Sequence, residues 1–292
     1  MKKYNIVLII LVFVFNCCSA PQKRENGQDF KRIVVLGQAP LEILLKLGYK
    51  DKIVGIGYLD QPEALKDFSD LPIMAVGWPD KESVLSLKPD LIFALESAFR
   101  SNKTGDVQFW EDRGVRTCVL DNYKVDKNLE NLRNDLKRTG KLFGIESKTN
   151  PLIQQNRNIS RKYANLKTES PKRVLHLSYT GTADTYYYYP PTMCLIDEII
   201  SDCGGEYIDL GPNYFIIPLE TIIRSDPDKI IITWFRRQNK VNITQKICAN
   251  PFLQHLKVIK DRQIIEVDYT QAIRGTYDME PIYCSISNFL KL

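Results

Sequence analysis

Apolar runs alternate with amphipathic stretches along most of this chain, and one such unit occurs twice. The two copies are Glu82–Ala94 and Glu220–Thr233, and in each of them Pro-Asp follows seven residues after the opening Glu. The patterned run predicts a short helix, Pro-Asp predicts its end and a turn, and the aliphatic run predicts a buried strand. A spacing shared over this length indicates one structural unit that is used twice.

Predicted strands and helices alternate on both sides of a central stretch that has only helical periodicity. This order predicts an α/β fold with two similar parallel-sheet lobes, joined by a long helix, and a ligand cleft between the lobes. The N-terminal lobe is predicted over residues 31–126, the linking helical segment over 127–170 and the C-terminal lobe over 171–292. Gly144 interrupts the linking segment, which is predicted to act as a stiff rod.

The first residues predict export. Two lysines precede the apolar run Ile6–Phe15, which is too short to span a bilayer, so residues 1–16 are predicted to be a signal peptide. The sequence around Cys17 resembles the cleavage box of bacterial lipoproteins, with Cys17 as the lipidated residue. Cys18 as the acceptor and ordinary cleavage after Ser19 remain alternatives. Polar residues 17–30 are predicted to form a flexible tether to a bacterial membrane, facing the periplasm or the cell surface.

Composition excludes several functional classes. The net charge of +5 is spread without a basic stripe, so no nucleic-acid partner is predicted. The five cysteines after the leader are predicted to be buried thiols rather than a disulfide framework. His-Glu-x-x-His, Cys-x-x-Cys, Walker and Gly-x-Ser-x-Gly motifs are all missing from the sequence, which contains two histidines, predicted to be structural. The chain is therefore predicted to be a binding protein, not an enzyme, with no cofactor and no resident metal.

A ligand is expected beyond the carboxyl ends of the predicted strands, where open α/β sheets bind ligands. This rule selects a set rich in aromatic and cationic side chains: Gln38, Tyr58, Trp78, Glu96, Phe99, Tyr179, Phe215, Trp234, Arg236, Arg237 and Arg274. Aromatic faces suit flat ligands, and arginines suit carboxylates or catecholates. In the run Tyr186–Tyr189, at most half of the side chains can face the cleft, because strand side chains alternate. The three arginines of the set favour an anionic ligand over a nearly neutral one.

Four segments, at residues 32–48, 76–92, 197–205 and 250–268, occur in an order that resembles a known family. The family is that of ABC-transporter substrate-binding proteins for iron–siderophore, haem and cobalamin. The resemblance implies two lobes joined by a rigid helix, with little closure. It also implies that Glu82 and Glu220, one on each lobe, dock onto arginine pockets of the permease.

Together these observations predict an exported substrate-binding lipoprotein of an ABC importer that captures a ferric siderophore or haem. Its partners would be the chelate, the permease subunits and, through the anchor, the membrane surface. One alternative is a cobalamin-binding protein of a vitamin B12 importer. Alternatives of other classes are a surface haem- or partner-binding lipoprotein without transport, and an enzyme.

Overall fold

A computed structural model describes residues 27–61, 70–121, 126–164, 169–179, 185–236 and 242–291. The predicted signal peptide, Cys17 with Cys18, and Arg237 lie outside the described residues. Two separate β-sheets, each with helices packed on it, form the two lobes. The α/β fold with two lobes that the sequence predicts is thus confirmed.

The N-terminal lobe contains a five-stranded sheet in which all strands are parallel, in the order β3-β2-β1-β4-β5. The central strands are aliphatic and buried on both faces, as expected when helices cover a parallel sheet. Its elements are β1 Ile33–Leu36, α1 Gln38–Lys46, β2 Ile53–Gly57, β3 Ile73–Ala75, α2 Lys81–Ser86, β4 Leu91–Leu95, α3 Val107–Glu111 and β5 Arg116–Leu120.

The C-terminal lobe contains a six-stranded mixed sheet, in the order β11-β10-β6-β7-β9, with β8 paired to β6. Strands β11, β10, β6 and β8 are parallel, whereas β7 runs antiparallel to both β6 and β9. Its elements are β6 Arg173–Tyr179, β7 Tyr186–Tyr188, α6 Ile196–Asp202, β8 Glu206–Tyr207, β9 Phe215–Ile217, α7 Leu219–Ser225, β10 Lys229–Trp234, α8 Ile243–Ala249, α9 Lys257–Lys260, β11 Ile264–Val267 and α10 Glu280–Lys291.

The unit that the sequence repeats has the same hydrogen bonds in both lobes. The Asp after each Pro accepts a backbone N–H at the start of the lobe's first strand: Asp90 from Arg32 at 3.0 Å, and Asp228 from Arg173 at 2.9 Å. Each of these arginines also donates to a backbone carbonyl just after the unit's helix, that of Leu87 or Asp226. The Pro-Asp turn therefore ties the helix of each unit to the first strand of its lobe.

The segment between the lobes forms two helices, α4 Leu129–Phe143 and α5 Glu146–Ala164, rather than one continuous rod. Gly144 ends α4 in the left-handed conformation, with φ of 64°. Arg133 of α4 donates hydrogen bonds to Asn156 and Ser160 of α5, so the two helices lie side by side as an antiparallel hairpin. The sequence prediction of a single stiff rod is corrected to this hairpin.

The hairpin packs against both hydrophobic cores. At one end, Leu132 and Ile159 are buried in the core of the C-terminal lobe. At the other end, Leu136 and Leu152 are buried in the core of the N-terminal lobe. Because one pair of helices belongs to both cores, the hairpin fixes the relative position of the two lobes.

Candidate ligand-binding site

The carboxyl ends of the strands in both sheets meet at the seam between the lobes. Tyr58 follows β2 in the N-terminal lobe, and Phe235 follows β10 in the C-terminal lobe. Their ring centroids are 6.2 Å apart, which brings the two walls of the cleft into contact at its base. The edge of the sheets that the sequence selects is therefore the edge where the lobes face each other.

Tyr58 and Trp78 form the N-terminal wall. Their rings stack with centroids 3.7 Å apart and an interplanar angle of 10°, and both side chains are half-buried. Tyr58 has a φ of 56°, a left-handed backbone that turns its ring away from the strand direction. The ammonium group of Lys103 lies 4.7 Å from the centroid of the Trp78 ring, so this wall carries a cation over an aromatic face.

Five further rings form the C-terminal wall. Phe235 packs on Tyr269 with centroids 5.1 Å apart, and the Tyr269 hydroxyl lies 3.2 Å from that of Tyr189. The rings of Tyr214 and Tyr189 meet in a T-shaped contact with centroids 4.8 Å apart. Tyr214 also stacks on Tyr187, with centroids 5.2 Å apart and an interplanar angle of 13°. With Tyr58 and Trp78, these side chains make a continuous row of ring contacts from one lobe to the other, which we call the aromatic surface. Tyr269 is buried beneath it, and the other six rings are at least partly exposed.

The phenol of Tyr214 is neutral in the physiological range. Burial, and then the neighbouring phenols of Tyr187 and Tyr58, raise the pKa of Tyr214 to about 12 against the opposing effect of its hydrogen bond with Tyr189. Tyr58, whose phenol contributes to the raised pKa of Tyr214, belongs to the opposite lobe, so the two phenols lie on facing sides of the cleft. This part of the wall presents rings and neutral hydroxyls, not anions.

Arg236 belongs to the seam itself. Its backbone N–H donates to the Asp60 carbonyl at 2.7 Å. Its guanidinium donates to the carbonyls of Leu59 at 3.3 Å and Val76 at 2.9 Å. With φ of 53°, Arg236 adopts the left-handed conformation that directs its side chain to the other lobe. The sequence predicts that Arg236 binds an anionic ligand, whereas in the structure its guanidinium donates hydrogen bonds to backbone carbonyls of the N-terminal lobe.

Arg274 forms a buried ion pair across the same seam. Its Nε lies 2.7 Å from Oδ2 of Asp60, and the two side chains are 7% and 0% exposed. Burial raises the pKa of the Asp60 carboxyl, and the guanidinium of Arg274 opposes that rise. Thr270 donates a further hydrogen bond to the same carboxylate at 3.4 Å. Arg274 therefore joins the lobes and is almost fully covered.

Several predicted site residues do not reach the cleft surface. Tyr179 and Trp234, 2% and 3% exposed, face the hydrophobic core of the C-terminal lobe, which corrects their predicted place in the cleft. The reason is strand alternation, since the two residues are paired in register at the last position of β6 and β10. Gln38 is also buried, and its amide oxygen accepts the backbone N–H of Gln61 at 2.7 Å.

The remaining predicted residues lie at the rim or behind the wall. Glu96 and Phe99 are half-buried after β4, where Glu96 pairs with Arg100 at 3.9 Å and Phe99 packs on the core. Phe215 packs against Tyr188 behind the wall, with centroids 5.3 Å apart. Sequence reasoning selects Phe215 and misses its neighbour Tyr214, although alternation along the strand was the available signal.

His176 lies behind the C-terminal wall, with its ring centroid 6.0 Å from that of Tyr189. His176 is fully buried, and its Nε2 lies 2.9 Å from the Thr233 hydroxyl. Burial lowers its pKa to about 3, so the ring is neutral. His255 is exposed in the turn before α9. Within the described ranges, no group of His, Cys, Asp and Glu is arranged to hold a metal ion.

Three carboxylates, those of Glu42, Asp60 and Asp268, lie near one another where α1 contacts the π-helical turn Thr270–Arg274 of the other lobe. Glu42 of α1 accepts a hydrogen bond from the Gln38 amide at 3.0 Å. Burial first, and then the charges of Asp268 and Asp60, raise the pKa of Glu42 to about 7. The folded protein consequently holds a proton on Glu42 more tightly than the unfolded chain does.

Glu42→Gln is expected to make stability less dependent on pH. Because the pKa is raised from 4.5 to about 7, the protonated side chain stabilises the fold fully below about pH 4.5, and this contribution is lost as the pH rises through about 7. At about pH 8.5 the unfolding free energy of the variant should exceed that of the parent by on the order of 2 kcal/mol, and at about pH 4 the two values should agree. Urea denaturation at both pH values measures this, with exposed Glu111→Gln as control; a difference that does not change with pH would contradict it.

A model of the family described as "Periplasmic binding protein" matches residues 33–270. The chain belongs to the periplasmic binding protein family. The petrobactin-binding protein YclQ of Bacillus subtilis is 21% identical, with 92% of each chain covered. The crystal structure of a periplasmic heme binding protein from Pseudomonas aeruginosa superposes with a TM-score of 0.75 at 22% identity, covering 90% of this chain and 94% of the other. A periplasmic binding protein from Veillonella parvula gives 0.74 at 20%, covering 90% and 92%.

These comparisons confirm the family resemblance of the sequence motifs, and the relatives are named as binding proteins. The two Glu residues that open the repeated units, Glu82 and Glu220, have the same position in their lobes. Glu82 lies in the first turn of α2 and Glu220 in the first turn of α7, and both are exposed. In the part of the chain that the structure describes, neither takes part in an ion pair. Among the helices of the described residues, none combines the length and the apolar composition that a bilayer span requires.

Proposed function

We propose that this periplasmic binding protein captures an iron chelate, a ferric siderophore or haem, in the cleft between its lobes and delivers it to an ABC permease. The observation that carries the proposal is the aromatic surface from Trp78 to Tyr187, at the strand ends where the family's fold places ligands. A relative named for petrobactin binding and structural neighbours named for heme binding support this class of ligand.

The lobes would deliver the chelate with little closure. The helical hairpin packs on both cores, and Arg236 and the Arg274–Asp60 pair join the lobes at the base of the cleft. A preformed cleft loses little conformational entropy on binding, which favours affinity for a rigid chelate. Glu82 and Glu220 are then held at a fixed separation, which suits docking onto two cationic pockets of a permease.

The ligand can be identified by native mass spectrometry and absorbance. The full mature chain would be incubated separately with hemin, a ferric catecholate, a ferric hydroxamate and cobalamin. We expect one-to-one retention of an iron chelate and none of cobalamin, because the cleft is lined by rings and carries a cation at Lys103. Retention of cobalamin alone would establish the vitamin B12 alternative, and retention of none of the four would contradict the proposed function.

We further propose that the mature protein is anchored to the membrane by a lipid on Cys17. Replacing Cys17 with Ser should abolish incorporation of labelled palmitate and release the protein from the membrane fraction. The matched control is Cys284→Ser, which removes a free, exposed thiol from α10 and should leave labelling unchanged. Labelling that persists in Cys17→Ser but is lost in Cys18→Ser would identify Cys18 as the acceptor and contradict the assignment.

A further inference from the structure

The arginines at the seam leave the ligand little opportunity for salt bridges there. The guanidinium of Arg236 is bound to two carbonyls of the opposite lobe, and that of Arg274 lies against Asp60 in a buried pair. Releasing Arg274 to a ligand would leave the Asp60 carboxylate buried without its partner, at considerable cost in free energy. Releasing Arg236 would break two hydrogen bonds across the seam, one of them to the carbonyl of the buried Leu59. Charge recognition by these two arginines is therefore disfavoured.

The aromatic wall, by contrast, has an uncovered part at the mouth of the cleft. Tyr187 of β7 pairs in register with Ile216 of β9. Tyr214, which lies two residues before Ile216 in the chain, stacks on Tyr187. The side chains of Tyr214 and Ile216 are 42% and 54% exposed. We define Tyr187, Tyr214 and Ile216 as the tyrosine shelf. It continues the aromatic surface through the contact between Tyr214 and Tyr189.

The shape and charge of the shelf define its occupant. Tyr214 and Tyr187 lie nearly parallel, and Tyr214 is 42% exposed, which leaves ring surface on which one more flat group can stack. The neutral phenol of Tyr214 presents no negative charge to repel an electron-rich or anionic aromatic ring. An aliphatic hydroxamate chelate has no flat ring to place there, whereas a catecholate or a porphyrin has.

We propose that the tyrosine shelf stacks against an aromatic ring of the bound chelate, and that the protein consequently prefers catecholate or porphyrin chelates to aliphatic hydroxamates. This inference rests on the proposed function and specifies its ligand class. Tyr214 is the specificity-determining residue, because its ring is the exposed end of the stack. Recognition through ring faces depends less on ionic strength than recognition through exposed salt bridges.

The experiment compares three probes on the full mature chain: hemin, ferric enterobactin as a triscatecholate, and ferric desferrioxamine as a hydroxamate. Dissociation constants are measured by calorimetry for the parent, Tyr214→Phe and Tyr214→Ala. We expect hemin or the triscatecholate to bind at least about tenfold more tightly than the hydroxamate; whichever of the two binds identifies the source of the ring. Tyr214→Ala should weaken that chelate about tenfold, while Tyr214→Phe, which keeps the ring, should stay within about twofold.

Phe252→Ala is the matched control, since Phe252 is an aromatic residue that is 67% exposed in the turn after α8. It should leave every dissociation constant unchanged. Tightest binding of the hydroxamate, or equal affinities of the parent and Tyr214→Ala, would overturn the shelf assignment while leaving the proposed function intact. Binding of none of the three chelates would overturn the proposed function and this inference with it.

Discussion

Replacing Asp60 with Ala is expected to lower the free energy of unfolding by about 3–5 kcal/mol. The substitution leaves the guanidinium of Arg274 buried at 7% exposure without the carboxylate that lies 2.7 Å from it. It also removes the acceptor of the Thr270 hydroxyl. Because these groups come from different lobes, the loss weakens the junction as well as the local packing. Urea denaturation followed by circular dichroism measures the change.

The controls separate the lost ion pair from the lost volume. Asp60→Asn keeps the shape and one acceptor oxygen, so its cost should be smaller than that of Asp60→Ala. The double variant Asp60→Leu with Arg274→Met removes both charges and fills the site, and should recover much of the stability, as replacements of buried pairs by apolar groups often do. If Asp60→Ala costs less than about 1 kcal/mol, the buried pair does not hold the lobes together.

Charge reversal of both carboxylates that we propose to dock onto the permease, Glu82 and Glu220, is expected to abolish most of the uptake of the chelate. Glu82 and Glu220 are exposed in the first turns of α2 and α7, one on each lobe. Replacement by Arg would set like charges against the cationic pockets proposed on the permease, which costs more than simple loss of attraction. Replacement by Ala should reduce uptake less, and each single variant less than the double.

The same double variant should fold and bind its chelate as the parent does. Exposed substitutions of this kind usually change stability by no more than about 0.5 kcal/mol. A matched control reverses Glu111 and Glu206, which are also exposed and also lie one on each lobe. Equal uptake by the Glu82/Glu220 variant and this control would contradict the proposal that these two residues dock onto the permease. It would favour a surface binding protein without transport. Loss of uptake that follows from loss of chelate binding would contradict docking as well.

The lobes could be predicted from the sequence because their signals are local. The repeated Pro-Asp units have the same spacing, and each aliphatic run after them is a buried strand, β4 or β10. The hairpin was harder to predict, because helical periodicity does not show whether the chain continues or turns back after a glycine. Gly144 carries that turn through its left-handed conformation, and the contact between Arg133 and Asn156 joins residues from separate helices.

The site could be predicted only as an edge of the sheets, not as a set of side chains. Strand ends selected the edge at which the two lobes meet, where Tyr58 and Trp78 lie. The same rule also selected Tyr179 and Trp234, because a strand's last residue can face the core or the cleft with equal ease. The pairing of Arg274 with Asp60 depends on two residues from different lobes, and no periodic pattern along the chain connects them.

Amide hydrogen exchange of the protein, with and without the bound chelate, tests the central claim most directly. A ligand held between the lobes should slow exchange in both walls at once: at residues 57–61 and 76–79 of the N-terminal lobe, and at 187–189, 213–217 and 234–236 of the C-terminal lobe. Exchange at the opposite ends of the strands, near residues 31–33 and 172–174, should not change. Protection confined to one lobe, or found only at those opposite ends, would contradict binding in the cleft.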